Sequence, residues 1–235
     1  MKDFDFNKNT GSIDIYFGKD AEVIIPSEID GVPVTSIGNT AFWGCKSIES
    51  VVIPNTVTSI GNVTFSQCTA LESITIPDSV KTIGKGAFMN CEALKNITIP
   101  DSVKSINECA FANCYSLKTI SIGKSVTRIE KLAFVCCYSL ENVTIPDKVI
   151  TIGESAFSQC VHLKSIKLSE ATITIKENAF FDCTSLESVT IPDGISAIED
   201  GAFWSCRSLK SVTIPSNCIT HARAFRRCPA TINHS

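Results

Sequence analysis

Apolar positions return along this chain at a fixed interval. Between Ile83 and Val103, aliphatic, aromatic and thiol side chains stand at Ile83, Ala87, Phe88, Cys91, Leu94, Ile97, Ile99 and Val103, with mostly polar residues between them. The same order recurs on both sides. Phe42, Phe65, Phe88, Phe111, Phe134, Phe157, Phe180 and Phe203 are each 23 residues apart, and Phe225 follows at 22. Cys45, Cys68, Cys91, Cys114, Cys137, Cys160, Cys183, Cys206 and Cys228 keep step with them. A unit this short cannot bury an apolar face alone, so the period implies stacked copies that share one continuous core.

Within a unit, Leu71-x-x-Ile74-x-Ile76-x-x-Ser79-Val80 follows the skeleton of a leucine-rich repeat. Leu71, Ile74 and Ile76 are spaced to point inward from a short strand, and successive strands are expected to stack into one parallel sheet. A proline closes the strand at Pro54, Pro77, Pro100, Pro146, Pro192 and Pro215, because it has no amide for the ladder. Thr56, Ser79, Ser102 and Ser125 follow, with hydroxyls that can bond the turn backbone; Lys148, Ala171 and Gly194 cannot, so the later coils are expected to be looser. Ile83-Gly84 reads as extended and inward-facing, its glycine serving a turn. The segment from Lys85 to Cys91 has room for a turn or two of helix, with Phe88 and Cys91 on one face.

The expected fold is therefore an α/β leucine-rich-repeat solenoid dominated by β structure. Short strands form a parallel sheet on one side and short helical turns lie on the other. Residues 1–35 read as an N-terminal cap: Ile13, Ile15 and Phe17 alternate with Asp14 and Tyr16, Gly18-Lys19-Asp20 turns the chain, and Val23-Ile24-Ile25-Pro26 completes a β-hairpin. Ser27 to Val34 is expected to bulge outward. About nine repeats fill 36–228, and 229–235 is a tail of the same continuous domain.

Composition narrows the function. A net charge of -3 with dispersed Lys and Arg leaves no electrostatic footprint for nucleic acid. The first residues, Met1 to Phe6, carry acids where a signal peptide needs an apolar run, and no stretch approaches the roughly 18 apolar residues of a membrane span. Of the 12 cysteines, nine share one column of the repeat and no Cys-x-x-Cys pair occurs, which argues against zinc and for a ladder of buried thiols. In-register parallel side chains rarely reach disulfide geometry. Cys109, Cys136 and Cys218 lie outside the column and are the candidates for exposed thiols. His162, His221 and His234 belong to no nucleophile and carboxylate set, so no catalytic, cofactor or metal residue is expected. Asn62, Asn96, Asn142 and Asn233 open Asn-x-Ser/Thr sequences, of which those at Asn96 and Asn142 follow from Asn and Thr being common on the strand.

Ile-Gly-x-x-Ala-Phe-x-x-Cys-x-x-Leu-x-x-Val-x-Ile-Pro-x-Ser-Val, with Val23 to Gly38 ahead of it, closely resembles the BspA-like leucine-rich repeat family over about residues 36–228. Departures are local: Gly123 and Ser169 replace proline, Thr64 replaces alanine, and the last unit is one residue short. The resemblance implies a surface or secreted interaction protein, adhesin-like, with a host protein or another cell as partner and no catalytic residue. The chain itself gives no compartment.

The residues that the repeat leaves free are the candidate site. Outward positions of the strands carry Ser73, Thr75, Asn96, Thr98, Thr119, Ser121, Asn142, Thr144, Thr190 and Thr213, with Lys167 as the one long charged group. One step earlier Glu49, Glu72, Lys95, Lys118, Glu141, Lys164, Glu187 and Lys210 mix their signs. A second patch, Tyr115 and Tyr138 after the core cysteines with Trp43, Phe181 and Trp204 after the core phenylalanines, offers interface anchors or packs over neighbouring coils. The reading is a monomeric, non-enzymatic module for a protein or glycan ligand. A structural spacer is the alternative; an ice-binding surface fits less well, because Val52 and Lys167 interrupt the Ser/Thr rows.

Overall fold

The computed structural model describes residues 3–235 and contains strands and turns, with no helix among the described residues. The chain winds as a β-solenoid with two strand ladders instead of one. The first comprises the strands at Glu22–Ile24, Ser50–Val52, Ser73–Thr75, Asn96–Thr98, Thr119–Ser121, Asn142–Thr144, Ser165–Lys167, Ser188–Thr190, Ser211–Ile214 and Thr231–His234. The second comprises Ser12–Tyr16 and nine two-residue strands from Ser36–Ile37 to Ile219–Thr220, the Ile-Gly segments of the repeat. Pairing between coils is parallel in both.

The expected helical turns do not form. Two residues per unit sit in the left-handed region, at φ 58° and 61° for Gly86 and Asn90, 55° and 60° for Cys109 and Asn113, and 59° and 59° for Leu132 and Cys136. A left-handed residue every fourth position breaks any right-handed helix. The backbone is spent on neighbours instead. The amides of Gly86, Phe88 and Asn90 donate to Glu108, Ala110 and Ala112 in the next coil at 2.8–2.9 Å, while Ala87, Met89 and Cys91 close tight turns onto Gly84, Gly86 and Phe88. This third ladder carries the core. Phe42 through Phe203 are fully buried and stack ring on ring at 4.9–5.4 Å, with Tyr16 ahead of them and Phe225 behind.

The thiols do more than fill space. Cys68, Cys91, Cys114, Cys137, Cys160, Cys183 and Cys206 are completely buried, and each S–H donates to the carbonyl of the phenylalanine 26 residues earlier at 3.1–3.3 Å. All 12 cysteines are free. Burial pushes Cys68 and Cys114 up to about 12 and moves Cys91, Cys137, Cys160 and Cys183 the same way, while Cys206 is raised first by its hydrogen bond with Cys228 and then by burial. Because the thiolate is the reactive species, a disulfide-exchange probe at neutral pH is expected to label only Cys45, Cys109, Cys136, Cys218 and Cys228 in the folded protein, and all 12 after urea unfolding. Rapid labelling of Cys137 in native protein, read by peptide mass spectrometry, would contradict the ladder.

Within the expected cap 1–35, of which Met1 and Lys2 lie outside the described residues, residues 3–35 do not form the expected hairpin. Ser12–Tyr16 pairs parallel with Ser36–Ile37, and Glu22–Ile24 pairs parallel with Ser50–Val52, so these strands are rungs of different ladders. Ile13 and Tyr16 point inward, whereas Ile15 and Phe17 are exposed, because Tyr16 is drawn into the phenylalanine stack at 4.9 Å from Phe42. The antiparallel partner of Ser12–Tyr16 is Phe4–Asn7, which covers the open edge. The bulge at Ser27 to Val34 is a small hairpin, Glu28–Ile29 against Val32–Pro33, turned by Asp30 and Gly31 at φ 50° and 76°. At the other end the expected tail supplies the last rung: Thr231–His234 pairs with Ser211–Ile214 over four positions.

Both ladders part between the coil of Ser73–Ile83 and that of Asn96–Ile106. At other junctions of the second ladder the backbone amide after the two-residue strand donates to an isoleucine carbonyl of the preceding coil, as Gly84 does to Ile60 and Glu130 to Ile106, both at 2.9 Å. At this junction the side-chain amide of Asn107 takes the Ile83 carbonyl at 2.6 Å. A side chain competing for a backbone acceptor interrupts the ladder. The third ladder and the Phe88–Phe111 stack at 5.3 Å continue across the gap.

Hydroxyls after the strand bond the preceding coil instead of their own turn, Ser79 to Val57 at 2.7 Å, for example. In the coil of Ala171, Ser169 and Thr172 make the equivalent bonds to Asp147 and Val149 at 2.7 and 3.1 Å, which holds that coil without a hydroxyl at 171. The Ile-Gly glycines have no turn role either. Gly38, Gly61, Gly84 and Gly153 lie outside the left-handed region and are pressed against the previous coil, where an added Cβ would meet backbone at 2.4–2.9 Å.

Candidate functional site

The strand register lines the outward side chains into two rows. One runs Asn96, Thr119, Asn142, Ser165 and Ser188 and the other contains Thr98 with Ser121, then Thr144, Lys167 and Thr190. Ser73 and Thr75 belong to the shorter three-stranded sheet, beside Ser50 and Val52. Every one of the expected face residues, from Ser73 to Thr213 and including Lys167, is exposed. Side chains in the first row also bond one another: Thr119 donates to the Asn96 carbonyl oxygen and Ser165 to that of Asn142 at 3.1 Å. At the N-terminal end the second row turns apolar, where Ile24 and Val52 are 76% and 47% exposed. The face is thus a strip of short donors and acceptors held at strand spacing, with an apolar start.

The charged column beside it pairs between coils. Glu72 meets Lys95 at 2.6 Å, Glu141 meets Lys164 at 4.0 Å and Glu187 meets Lys210 at 2.7 Å. A second column on the turn side joins Lys85 to Glu108, Lys131 to Glu154 and Lys176 to Glu199 at 2.7–3.1 Å. All are well exposed, so they steer partners and set register more than they stabilise.

Tyr115 and Tyr138 are not on this face. They stand at the corner between the third ladder and the strands, stacked at 5.1 Å and 6°, with Tyr115 half-buried and Tyr138 at the exposed end. His162 continues the corner through a 2.7 Å bond from its Nδ1 to the Tyr138 carbonyl. Phe181 and Trp204 pack at 6.1 Å, and Arg226, which the sequence did not single out, lies 4.9 Å over the Trp204 ring.

Sequence reasoning also missed a cleft. Between Thr119–Ser121 and Asn142–Thr144 only Thr119 and Asn142 pair, and beyond them the coils open around a cavity of about 740 Å³. The available signal was Gly123-Lys124, which stands where the other units carry Pro-Asp.

Comparison with known proteins agrees with this geometry. The profile of the BspA type leucine rich repeat region matches in six copies over residues 35–160 and 127–234. Among solved structures, a leucine-rich repeat protein from Bacteroides ovatus ATCC 8483 is 31% identical over 99% of this chain with a TM-score of 0.76, and the chain spans 65% of that protein's length. The T. pallidum leucine-rich repeat protein is 30% identical, with 88% of this chain and 86% of that one aligned and a TM-score of 0.61. The pneumococcal vaccine antigen PcpA shares the fold at 18% identity and a TM-score of 0.50, over 94% of this chain and 74% of its own. Curated protein sequences give no match. Repeat period, phenylalanine and thiol ladders, profile match and structural kinship agree: the chain belongs to the BspA-type leucine-rich repeat family.

Proposed function

We propose that the protein is a non-enzymatic, monomeric interaction module of the cell surface or the secreted space, which engages a protein or glycan through its sheet face in the manner of an adhesin. The observation that carries this reading is the exposed polar face, whose first row is in register from Asn96 to Ser211 and whose second row pairs as Thr98 with Ser121 and as Thr144, Lys167 and Thr190, with Thr213 beyond. Short hydroxyls and amides lose little side-chain entropy when they are fixed, and stacked coils repeat them at a spacing of about 4.8 Å. Such a strip suits an extended ligand that is itself regular in its hydrogen-bonding groups. The interrupting Lys167 gives it polarity and a register mark.

The test is a solid-phase screen of the purified chain against extracellular-matrix proteins and a glycan array, followed by titration of any hit. Wild type is expected to bind saturably. Asn96→Arg with Asn142→Arg, both on the exposed face, is expected to weaken binding at least tenfold, while Tyr115→Ala with Tyr138→Ala at the corner has the smaller effect. No saturable binding to any probe would instead favour the spacer. Loss in the tyrosine variant alone would move the site to the corner.

A further inference from the structure

The cleft beside Gly123 has the makings of a site of its own. Its origin is local. A Cβ on Gly123 would lie 2.4 Å from the Pro100 carbonyl oxygen, so the backbone here is pressed against the preceding coil more closely than a proline permits. Three further contacts hold it there: full three-position pairing of Asn96–Thr98 with Thr119–Ser121, the Ile99 amide on the Ser121 carbonyl at 2.8 Å, and the Lys124 amide on Asp101 Oδ1 at 2.7 Å. Thr119–Ser121 thus keeps three paired positions with the preceding coil and one with the following coil. The strands diverge after Thr119 and Asn142, and the space left between the coils is about 740 Å³, against 300–420 Å³ for other hollows along the solenoid.

The lining differs in two respects from the coils on either side. Ile120 and Ile122 are only half-buried, whereas their counterparts Ile97, Ile99, Val143 and Ile145 are 1–4% exposed. The floor is therefore open apolar core. At the rim, Lys124 occupies the column that holds Asp78, Asp101, Asp147, Glu170 and Asp193 in other coils, and Lys148 occupies the column of Ser79, Ser102 and Ser125. Both lysines line the cleft, and neither joins an ion pair among the described residues. Lys167 stands next to the lining residue Thr144 in the ladder. Against these cations the lining sets one carboxylate, Asp147.

We infer that this cleft binds an amphipathic carboxylate, an apolar body against the half-buried Ile120 and Ile122 with its anionic end between Lys124 and Lys148. The volume lies within the roughly 300–1,000 Å³ of small-molecule sites. Its 11 lining residues are fewer than the roughly 20–30 that a folded partner covers on each side of an interface. The apolar floor alone accepts any greasy ligand; the reversed charge at the rim selects the anion. The site shares Ser121, Asn142 and Thr144 with the sheet face, but it does not depend on macromolecular binding there, and each can fail alone.

Decanoate is the probe, with decanol and glutarate as controls. Calorimetric titration is expected to show one-site saturable binding of decanoate, at least tenfold weaker binding of decanol and none of glutarate. Isoleucine methyl resonances of Ile120, Ile122 and Ile145 are expected to shift with the same dissociation constant. Lys124→Glu with Lys148→Glu, both fully surface positions that leave the core untouched, should raise that constant at least tenfold. Absence of saturation with decanoate would overturn the assignment. So would an unchanged constant in the double variant, methyl shifts confined to other coils, or glutarate binding as tightly as decanoate.

Discussion

Phe134→Ala is expected to cost about 3–5 kcal/mol of unfolding free energy in urea, the range for truncating a fully buried ring. Phe134 has no exposed surface and is sandwiched between Phe111 at 5.4 Å and Phe157 at 5.1 Å, nearly parallel to both. Its amide bond to Ala156 at 2.8 Å is a backbone bond and survives the substitution. That bond is the reason the loss is large. Backbone ladders fix the distance between coils, so neighbouring rings cannot close over the gap, and the cavity stays open. Phe225 supplies the comparison. It is half-buried, stacks on Phe203 alone at 5.1 Å, and lies at the end of the column, so Phe225→Ala is expected to lose less than about 2 kcal/mol. Equal losses at the two positions, or a Phe134→Ala variant within about 1 kcal/mol of wild type, would show that the stack is not what holds the coils.

The interior variant has a second signature. In a solenoid each coil contacts only its neighbours, so stability is a sum of unit and interface contributions. Removing a central ring weakens two interfaces at once. The urea transition is expected to broaden, and amide exchange to accelerate first between Phe111 and Phe157, before the ends are affected.

What the sequence made legible was the part that repeats in residue type. Phenylalanine and cysteine recur in fixed columns, and the core they predict is the core that forms. Where a position repeats in conformation but not in residue type, the pattern fell silent. The left-handed sites are obvious at Gly86 and Asn90, but the same site is Val63, Cys109 and Leu132 in other coils, so the segment read as helical. The ends were hidden by irregular spacing. Ile13 pairs with Ile37 and Val23 with Val51, 24 and 28 residues on, while Thr231 pairs with Ser211 across only 20. Coils of unequal length still stack, because the register belongs to the strands and loops between them absorb the difference.

The outward face was legible as positions and not as a ligand. Alternation places Asn96, Thr98, Asn142 and Thr144 outside whatever they are, since the inward neighbours Ile97 and Val143 fix the strand's orientation. The cleft lies between these cases. Gly123-Lys124 in place of Pro-Asp is visible in the sequence, but its consequence depends on contact with Pro100 one coil earlier, which only the winding brings together.

Gly84→Ala is expected to destabilise by about 1–3 kcal/mol, the cost of overpacking a tight contact. The glycine's φ lies outside the left-handed region, so any residue can adopt its backbone; the constraint is space. Its Cβ would stand 2.4 Å from the carbonyl carbon and oxygen of Gly61 and 2.5 Å from the Asn62 amide nitrogen. These are backbone atoms, and they cannot swing aside. The coils must separate, which stretches the 2.9 Å bond from the Gly84 amide to Ile60 and the 2.8 Å bond from the Lys85 amide to the Asn62 side chain. Glu130 and Lys176 occupy the same column elsewhere with their ladder bonds intact at 2.9 and 3.1 Å, so a wider junction is accessible and the loss stays below that of Phe134→Ala. Gly86→Asn separates space from conformation. Gly86 is left-handed at φ 58° with nothing closer than 3.8 Å to an added Cβ, and asparagine already holds that site at Asn178 with φ 55°. That variant is expected to stay within about 0.5 kcal/mol of wild type. If Gly84→Ala were as harmless as Gly86→Asn in the same urea titration, close approach of the coils would not be the reason for the glycine.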